Sequence, residues 1–254
     1  KKAEFGMGIA RMEDRYFQTN IIDFSETKHD ESTYSIFGGS IVLEGSTLNA
    51  RQFATQGSRE KMAAQIFTGT EHFRSGVSKV TKGTPETYKK VQSWLQVSYQ
   101  NETYHKVSPK FTLGAYLEAY YSTRNFSNNY TATLMQAGEF TPTAHSKVTY
   151  NEAFRANQYA GVGAMPIYQL SESFQLRGEF YGFIPIFPIK KDEYGQAYYG
   201  KAFTKFEYLG EISLVFQLSF GSISAYVNHY SSPSNDWNVG LTLGWQLFNS
   251  RFVE

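Results

Sequence analysis

A strict two-residue alternation of apolar and polar side chains runs through 203–219, FTKFEYLGEISLVFQLS. Phe206, Tyr208, Gly210, Ile212, Leu214, Phe216 and Leu218 share one parity, while Lys205, Glu207, Glu211, Ser213 and Gln217 share the other. Successive side chains of a β-strand point to opposite faces, so this reads as one long strand with an apolar face and a charged face. Residues 174–187 repeat the pattern, with Phe174, Leu176, Phe180, Ile184 and Ile186 opposed to Gln175, Arg177 and Glu179. In 110–121, Phe111, Leu113, Ala115, Leu117, Ala119 and Tyr121 oppose Lys110, Thr112, Tyr116 and Glu118. In 238–247, Val239, Leu241, Leu243, Trp245 and Leu247 alternate with Asn238, Gly240, Thr242, Gly244 and Gln246.

Weaker versions at 1–12, 16–27, 33–44, 58–73, 91–104, 158–170 and 221–231 bring the count to about eleven strands. Strands of soluble sandwiches are typically about 5–6 residues, whereas a tilted membrane strand needs about 9–11. Most of these segments reach the longer figure, and the turns between them alternate in length. Ser171-Glu172-Ser173 and Ser219-Phe220-Gly221 are tight; 122–157 and 188–202 are long. Short turns on one side and long loops on the other characterise outer-membrane barrels. Aromatics make up 17% of the chain, and Tyr120, Tyr121, Tyr198, Tyr199, Phe203, Phe248 and Phe252 stand near strand ends, where interface girdles belong. The expected fold is therefore all-β: an antiparallel up-and-down transmembrane β-barrel occupying 1–254 as one domain.

Other classes lose ground on composition. The 24 Lys+Arg against 23 Asp+Glu leave no basic surplus for nucleic acid. With no cysteine, neither a disulfide framework nor a thiolate metal site can be built, and the five histidines lack ligand spacing. No apolar run approaches the roughly 18–20 residues of a spanning helix. The chain opens Lys1-Lys2-Ala3-Glu4-Phe5 directly into an alternating segment with no signal peptide, which reads as a mature or truncated start.

Three stretches together carry a family resemblance. Arg51-Gln52-Phe53-Ala54-Thr55-Gln56-Gly57, before REKMAAQIFTGTEHF, resembles the R-x-F-P-T-x-G opening of a barrel strand in the bacterial surface-antigen superfamily, with Ala54 in place of proline. Phe154-Arg155-Ala156, inside the longest loop, is similar to that superfamily's V-R-G-F/Y loop tip, with Ala156 in place of glycine. The run from about Phe126 to the C-terminus resembles the C-terminal barrel of patatin-like phospholipases of Bacteroidetes-type bacteria.

This resemblance implies an outer-membrane location and a barrel of about sixteen strands, so the chain is expected to lack the first of them together with an N-terminal patatin-like domain. It implies that 122–157 is an extracellular loop folded into the lumen. It further implies that Arg155 pairs there with acidic residues on the inner walls of later strands: Glu179 and one of Glu207 or Glu211. The implied partners are that patatin-like domain and the outer-membrane lipids, lipopolysaccharide and phospholipid.

A patatin-type hydrolase needs a Gly-x-Ser-x-Gly elbow. The nearest match, Gly240-Leu-Thr-Leu-Gly244, has threonine at its centre and lies within an alternating strand, where its glycines suit the close approach of neighbouring strands or lumen side chains. No catalytic residue, metal ligand or cofactor is expected in this chain. Three functions follow: anchor and candidate export route for a patatin-like lipase, porin or other transport channel, and soluble lipid-binding β-protein.

Overall fold

The computed structural model describes residues 1–17, 29–76, 87–232 and 237–245. The long strands are β1 (Lys2–Tyr16), β2 (Asp30–Ser46), β3 (Gly57–Arg74), β4 (Thr87–Lys106) and β5 (Phe111–Ser122). A helix α1 (Tyr130–Gln136) and the short strands β6 (Gly138–Glu139) and β7 (Arg155–Ala156) follow. Then come β8 (Gln158–Gln169), β9 (Phe174–Pro185), the short pair β10 (Ile189–Lys191) and β11 (Ala197–Tyr199), β12 (Glu207–Leu218), β13 (Gly221–Tyr230) and β14 (Trp237–Trp245). Ten of these form one antiparallel sheet in chain order, β1-β2-β3-β4-β5-β8-β9-β12-β13-β14. The expected strand at 16–27 falls mostly outside the described residues, as do Gln246, Leu247, Phe248 and Phe252.

Burial along the strands is inverted relative to a water-soluble protein. On β12 the buried positions are Glu207, Leu209, Glu211, Ser213 and Val215, while Ile212 and Leu214 are 49% and 43% exposed. On β9 the buried positions are Gln175, Arg177, Glu179, Tyr181 and Phe183, with Phe174, Leu176 and Phe180 exposed. In the register, Phe5, Met7 and Ile9 of β1 extend the outward row and are exposed, although on this edge strand the opposite row, Gly6, Gly8 and Ala10, is exposed too. An exposed apolar face of this extent marks a surface that a membrane or a protein partner covers.

The sheet curls around its buried face. Gln52 and Phe53, in the β2–β3 connection, bond Gln175 on β9, Gln217 on β12 and Ser222 on β13. Residues 123–157 reach from Asp14 and Tyr16 on β1 to Glu211 on β12. β1 and β14 are the edges of the sheet.

The turns at one end are short for a local reason. In Ser108-Pro-Lys-Phe111 and Ser171-Glu-Ser-Phe174 the first serine Oγ accepts the phenylalanine N–H at 3.1 and 3.2 Å, and the backbone closes across the same residues. The 219–220 turn and the 47–56 connection lie at this end, and 123–157 and 186–206 lie at the other. Strand lengths are uneven: β1–β4 have 15, 17, 18 and 20 residues, whereas β5, β8, β9 and β12 have 12 each. The alternation at 203–206 does not pair. Phe203 takes φ 55 and donates its N–H to Ile186 O, so β12 begins at Glu207.

Gly57 starts β3 at φ +95, and a Cβ there would stand 2.2 Å from Thr47 O. Gly57→Ala is therefore expected to destabilise the fold by about 1–3 kcal/mol, read by urea unfolding in detergent micelles. Gly8→Ala, where a Cβ meets nothing within 4 Å, serves as the silent control.

Candidate functional site

The buried face of the sheet is filled by two segments that come from opposite ends. The larger is 123–157. Its helix α1 is capped by Asn129, whose Oδ1 accepts from Ala132 N at 2.9 Å while its Nδ2 donates to Tyr16 Oη at 2.9 Å. One side chain thus ends the helix and ties it to β1. Arg124 lies over the rings of Trp94 (4.6 Å) and Tyr34 (5.2 Å) and donates to Gln136 Oε1 at 2.8 Å. Gln136 in turn donates to Asp14 on β1. Burial draws the Arg124 guanidinium below its ordinary pKa, and the charges of Glu71 and Asp14 oppose that shift.

The neck of this segment is the β6–β7 ribbon, where Glu139 and Arg155 are directly paired in register. Past it, Phe140 is 2% exposed inside a cage of Tyr116, Tyr159, Tyr181 and Phe183, with centroids 5.6–6.3 Å away. Gly161 makes the cage, since a Cβ there would come within 2.1 Å of the Phe140 ring. Farther on, His145 is buried, stacks on Tyr226 at 3.5 Å, and its Nδ1 meets Glu211 Oε1 at 2.7 Å. Asn151 donates to Ser232 O at 2.8 Å, which fastens the segment beside β13.

The second filling segment is the β2–β3 connection. Arg177, 2% exposed, donates from Nη1 to Ala54 O (2.9 Å) and Gln175 Oε1 (3.1 Å), and from Nε to Glu179 Oε1 (3.1 Å). The Tyr104 ring and the Phe53 ring flank the guanidinium, each 5.6 Å away. A cation this deeply enclosed needs a carboxylate and filled donors, and Arg177 has both.

The residues expected to carry the site are distributed differently. Arg155 does not reach Glu179, Glu207 or Glu211; its partners are Glu139 (2.8 Å) and the Leu134 and Met135 carbonyls, with its guanidinium over Tyr150. The cross-strand neighbour in the ribbon is simply nearer than the far wall. Glu179 is held by Arg177 and Tyr181, Glu207 by Ser231 and Lys205, and Glu211 by His145 and Asn228. Phe154 packs in the aromatic core against Phe183 and Tyr230. Of the strand-opening motif, Arg51 is exposed, Phe53 takes φ 53, Thr55 N donates to Asn49 Oδ1, and Gly57 is the pivot.

The expected aromatic girdle divides: Tyr121, Tyr198, Tyr199 and Phe203 are exposed, Tyr199 with its ring against Phe126, whereas Tyr120 stacks inward on Tyr159. Gly240 and Gly244 of β14 stand where Tyr226 and Gln52 come close, so their lack of a side chain admits interior groups. Sequence reading gave His145 and Phe140 no role in the interior. Both sit in an irregular segment with no periodicity, and their partners lie on strands far along the chain. Arg177 and Glu179, two apart on one strand face, carried a local signal. Among the described residues no three His, Asp or Glu could hold a metal ion.

No protein-family model, curated protein or solved structure matches this chain.

Proposed function

We propose that this chain is a β-barrel domain of a bacterial outer membrane. It anchors a patatin-like lipid acyl hydrolase domain on the same polypeptide and offers an export route for it. The observation that carries the membrane part is the burial pattern: on β9 and β12 the outward row is apolar and exposed, while the buried inward row carries Gln175, Arg177, Glu179, Glu207, Glu211 and Ser213 among its apolar side chains. Such a face is stable against hydrocarbon and costly against water. Ladder pairing on both sides satisfies the backbone of the eight inner strands, as lipid requires, and closure of β1 onto β14 would satisfy the two edge strands. The lipase link rests on the Phe126–C-terminus resemblance, and closure of the sheet into a barrel belongs to the same reading. The chain itself performs no hydrolysis.

The filled interior favours an anchor over an open porin. Lipopolysaccharide and phospholipid are the surrounding partners. In flotation with phosphatidylethanolamine–phosphatidylglycerol vesicles, the refolded chain is expected to rise with the lipid after carbonate washing. Recovery in the aqueous fraction without detergent sinks the membrane reading. Large open-channel conductance in a planar bilayer would favour the porin, and a parent polypeptide without a Gly-x-Ser-x-Gly elbow would remove the lipase.

A further inference from the structure

We infer that residues 47–57 are a releasable strap sealing the short-turn end of the interior, independently of the 123–157 segment. The strap holds its own shape. Thr47 N bonds Ser58 O at 2.8 Å and Asn49 N bonds Gln56 O at 3.1 Å, closing the neck. Asn49 Oδ1 accepts from Thr55 N and Gln56 N at 3.0 and 3.1 Å, and Asn49 Nδ2 donates to Thr55 Oγ1 at 3.0 Å. None of these bonds uses the opposite wall, so the turn persists whether docked or not.

Docking uses a separate set of bonds with a distinct chemistry. Four consecutive backbone carbonyls are taken by side chains of three strands. Gln52 O and Phe53 O accept from Gln217 Nε2 (3.4 and 3.2 Å), and Phe53 O also accepts from Gln175 Nε2 (3.3 Å). Ala54 O accepts from Arg177 Nη1 (2.9 Å), and Thr55 O accepts from Thr112 Oγ1 (3.2 Å). The Gln52 side chain adds a contact to Ser222 Oγ at 2.9 Å. The wall recognises the path of the backbone more than the strap's side chains.

Little apolar surface secures the contact. Arg51 and Gln52 are exposed, Phe53 is half-buried with its ring against Arg177, and Ala54, with the partly buried Leu48, supplies the strap's share of the aromatic core. Phe53 is held in a left-handed conformation at φ 53, which costs a non-glycine residue of order 1 kcal/mol. Hydrogen bonds exchanged for water contribute little net free energy each, and segments with few buried apolar contacts open most readily. A self-supporting turn held by hydrogen bonds to the far wall is built to detach as a unit, and Arg177 keeps Glu179 and Gln175 as partners when Ala54 leaves. Its role as a seal rests on the membrane-spanning reading; its detachment does not.

The test exploits the absence of cysteine from the chain. Ala54→Cys, at a position 4% exposed in the strap, reports release; Ala156→Cys, 0% exposed in β7, reports loosening of the other segment. Both are labelled with maleimide in detergent micelles, in the full chain and in a Gln217→Ala/Ser222→Ala background that removes strap bonds. Labelling at position 54 is expected to rise about tenfold in that background, while position 156 is unchanged. An unchanged rate at 54, or a parallel rise at both positions, overturns the strap. Should Ala54→Cys not fold, hydrogen exchange replaces it: peptides spanning 47–58 must exchange faster in the double variant while 158–169 stay the same. Failure of vesicle flotation with the labelling result intact would leave the strap standing and remove only its role in a membrane.

Discussion

Leu214→Arg is expected to lower the unfolding free energy of the vesicle-inserted protein by about 2–4 kcal/mol, the cost of a cation on the lipid side near mid-bilayer. The direction is informative because Leu214 is already 43% exposed in the isolated chain. In a water-soluble protein an arginine at such a site changes stability by roughly 0.5 kcal/mol or less. The neighbouring Ser213→Ala supplies the contrast: Ser213 is 1% exposed with its Oγ unpartnered. Removing a buried, unbonded hydroxyl is expected to be neutral within about 0.5 kcal/mol or mildly stabilising. Urea titration of tryptophan fluorescence in vesicles measures both. A Leu214→Arg protein as stable as the parent would place that face in water.

Phe140→Ala is expected to cost about 3–5 kcal/mol, the range for deleting a buried phenylalanine side chain. The ring touches four aromatic walls on β5, β8 and β9 and occupies the space that Gly161 leaves open. Its loss opens a cavity that neither the sheet nor the β6–β7 ribbon can close. The measured signature is a lower unfolding midpoint together with faster proteolysis within 140–153. The strands should persist by circular dichroism, because their ladders do not depend on this ring. Gly161→Ala reaches the same contact from the other side, since its methyl would overlap the ring. An unchanged midpoint for Phe140→Ala would mean that the segment does not pack in the interior.

The long strands were legible because period two is a local signal: 203–219 announces the two faces of β12, though the alternation begins four residues before the start of pairing at Glu207. The tight turns at Ser171-Glu172-Ser173 and Ser219-Phe220-Gly221 were legible, as was the strand opening at Gly57, whereas the equivalent turn at Ser108 was not read. Partner choice was not. Glu179, Glu207 and Glu211 share one parity, and sequence alone cannot say which cation reaches which. Geometry gave Glu179 to Arg177 two residues away, and Glu211 to His145 sixty-six residues away. Arg155 was drawn to Glu139 by a ribbon only two residues long on each side, too short for any periodicity to reveal. The docked strap was hidden for a related reason. Its contacts are made by backbone carbonyls, which every sequence possesses, and its expected role ended at the start of β3.

The most direct measurement is a nitroxide scan of positions 211–216 in phosphatidylethanolamine–phosphatidylglycerol vesicles, comparing collisions with oxygen, which concentrates in lipid, and with a water-soluble nickel chelate. Labels at Ile212, Leu214 and Phe216 should collide with oxygen and hardly with nickel, and those at Glu211, Ser213 and Val215 with neither. Strong nickel collisions at 212 and 214 would mean that this apolar row meets water, contradicting a sheet that faces hydrocarbon.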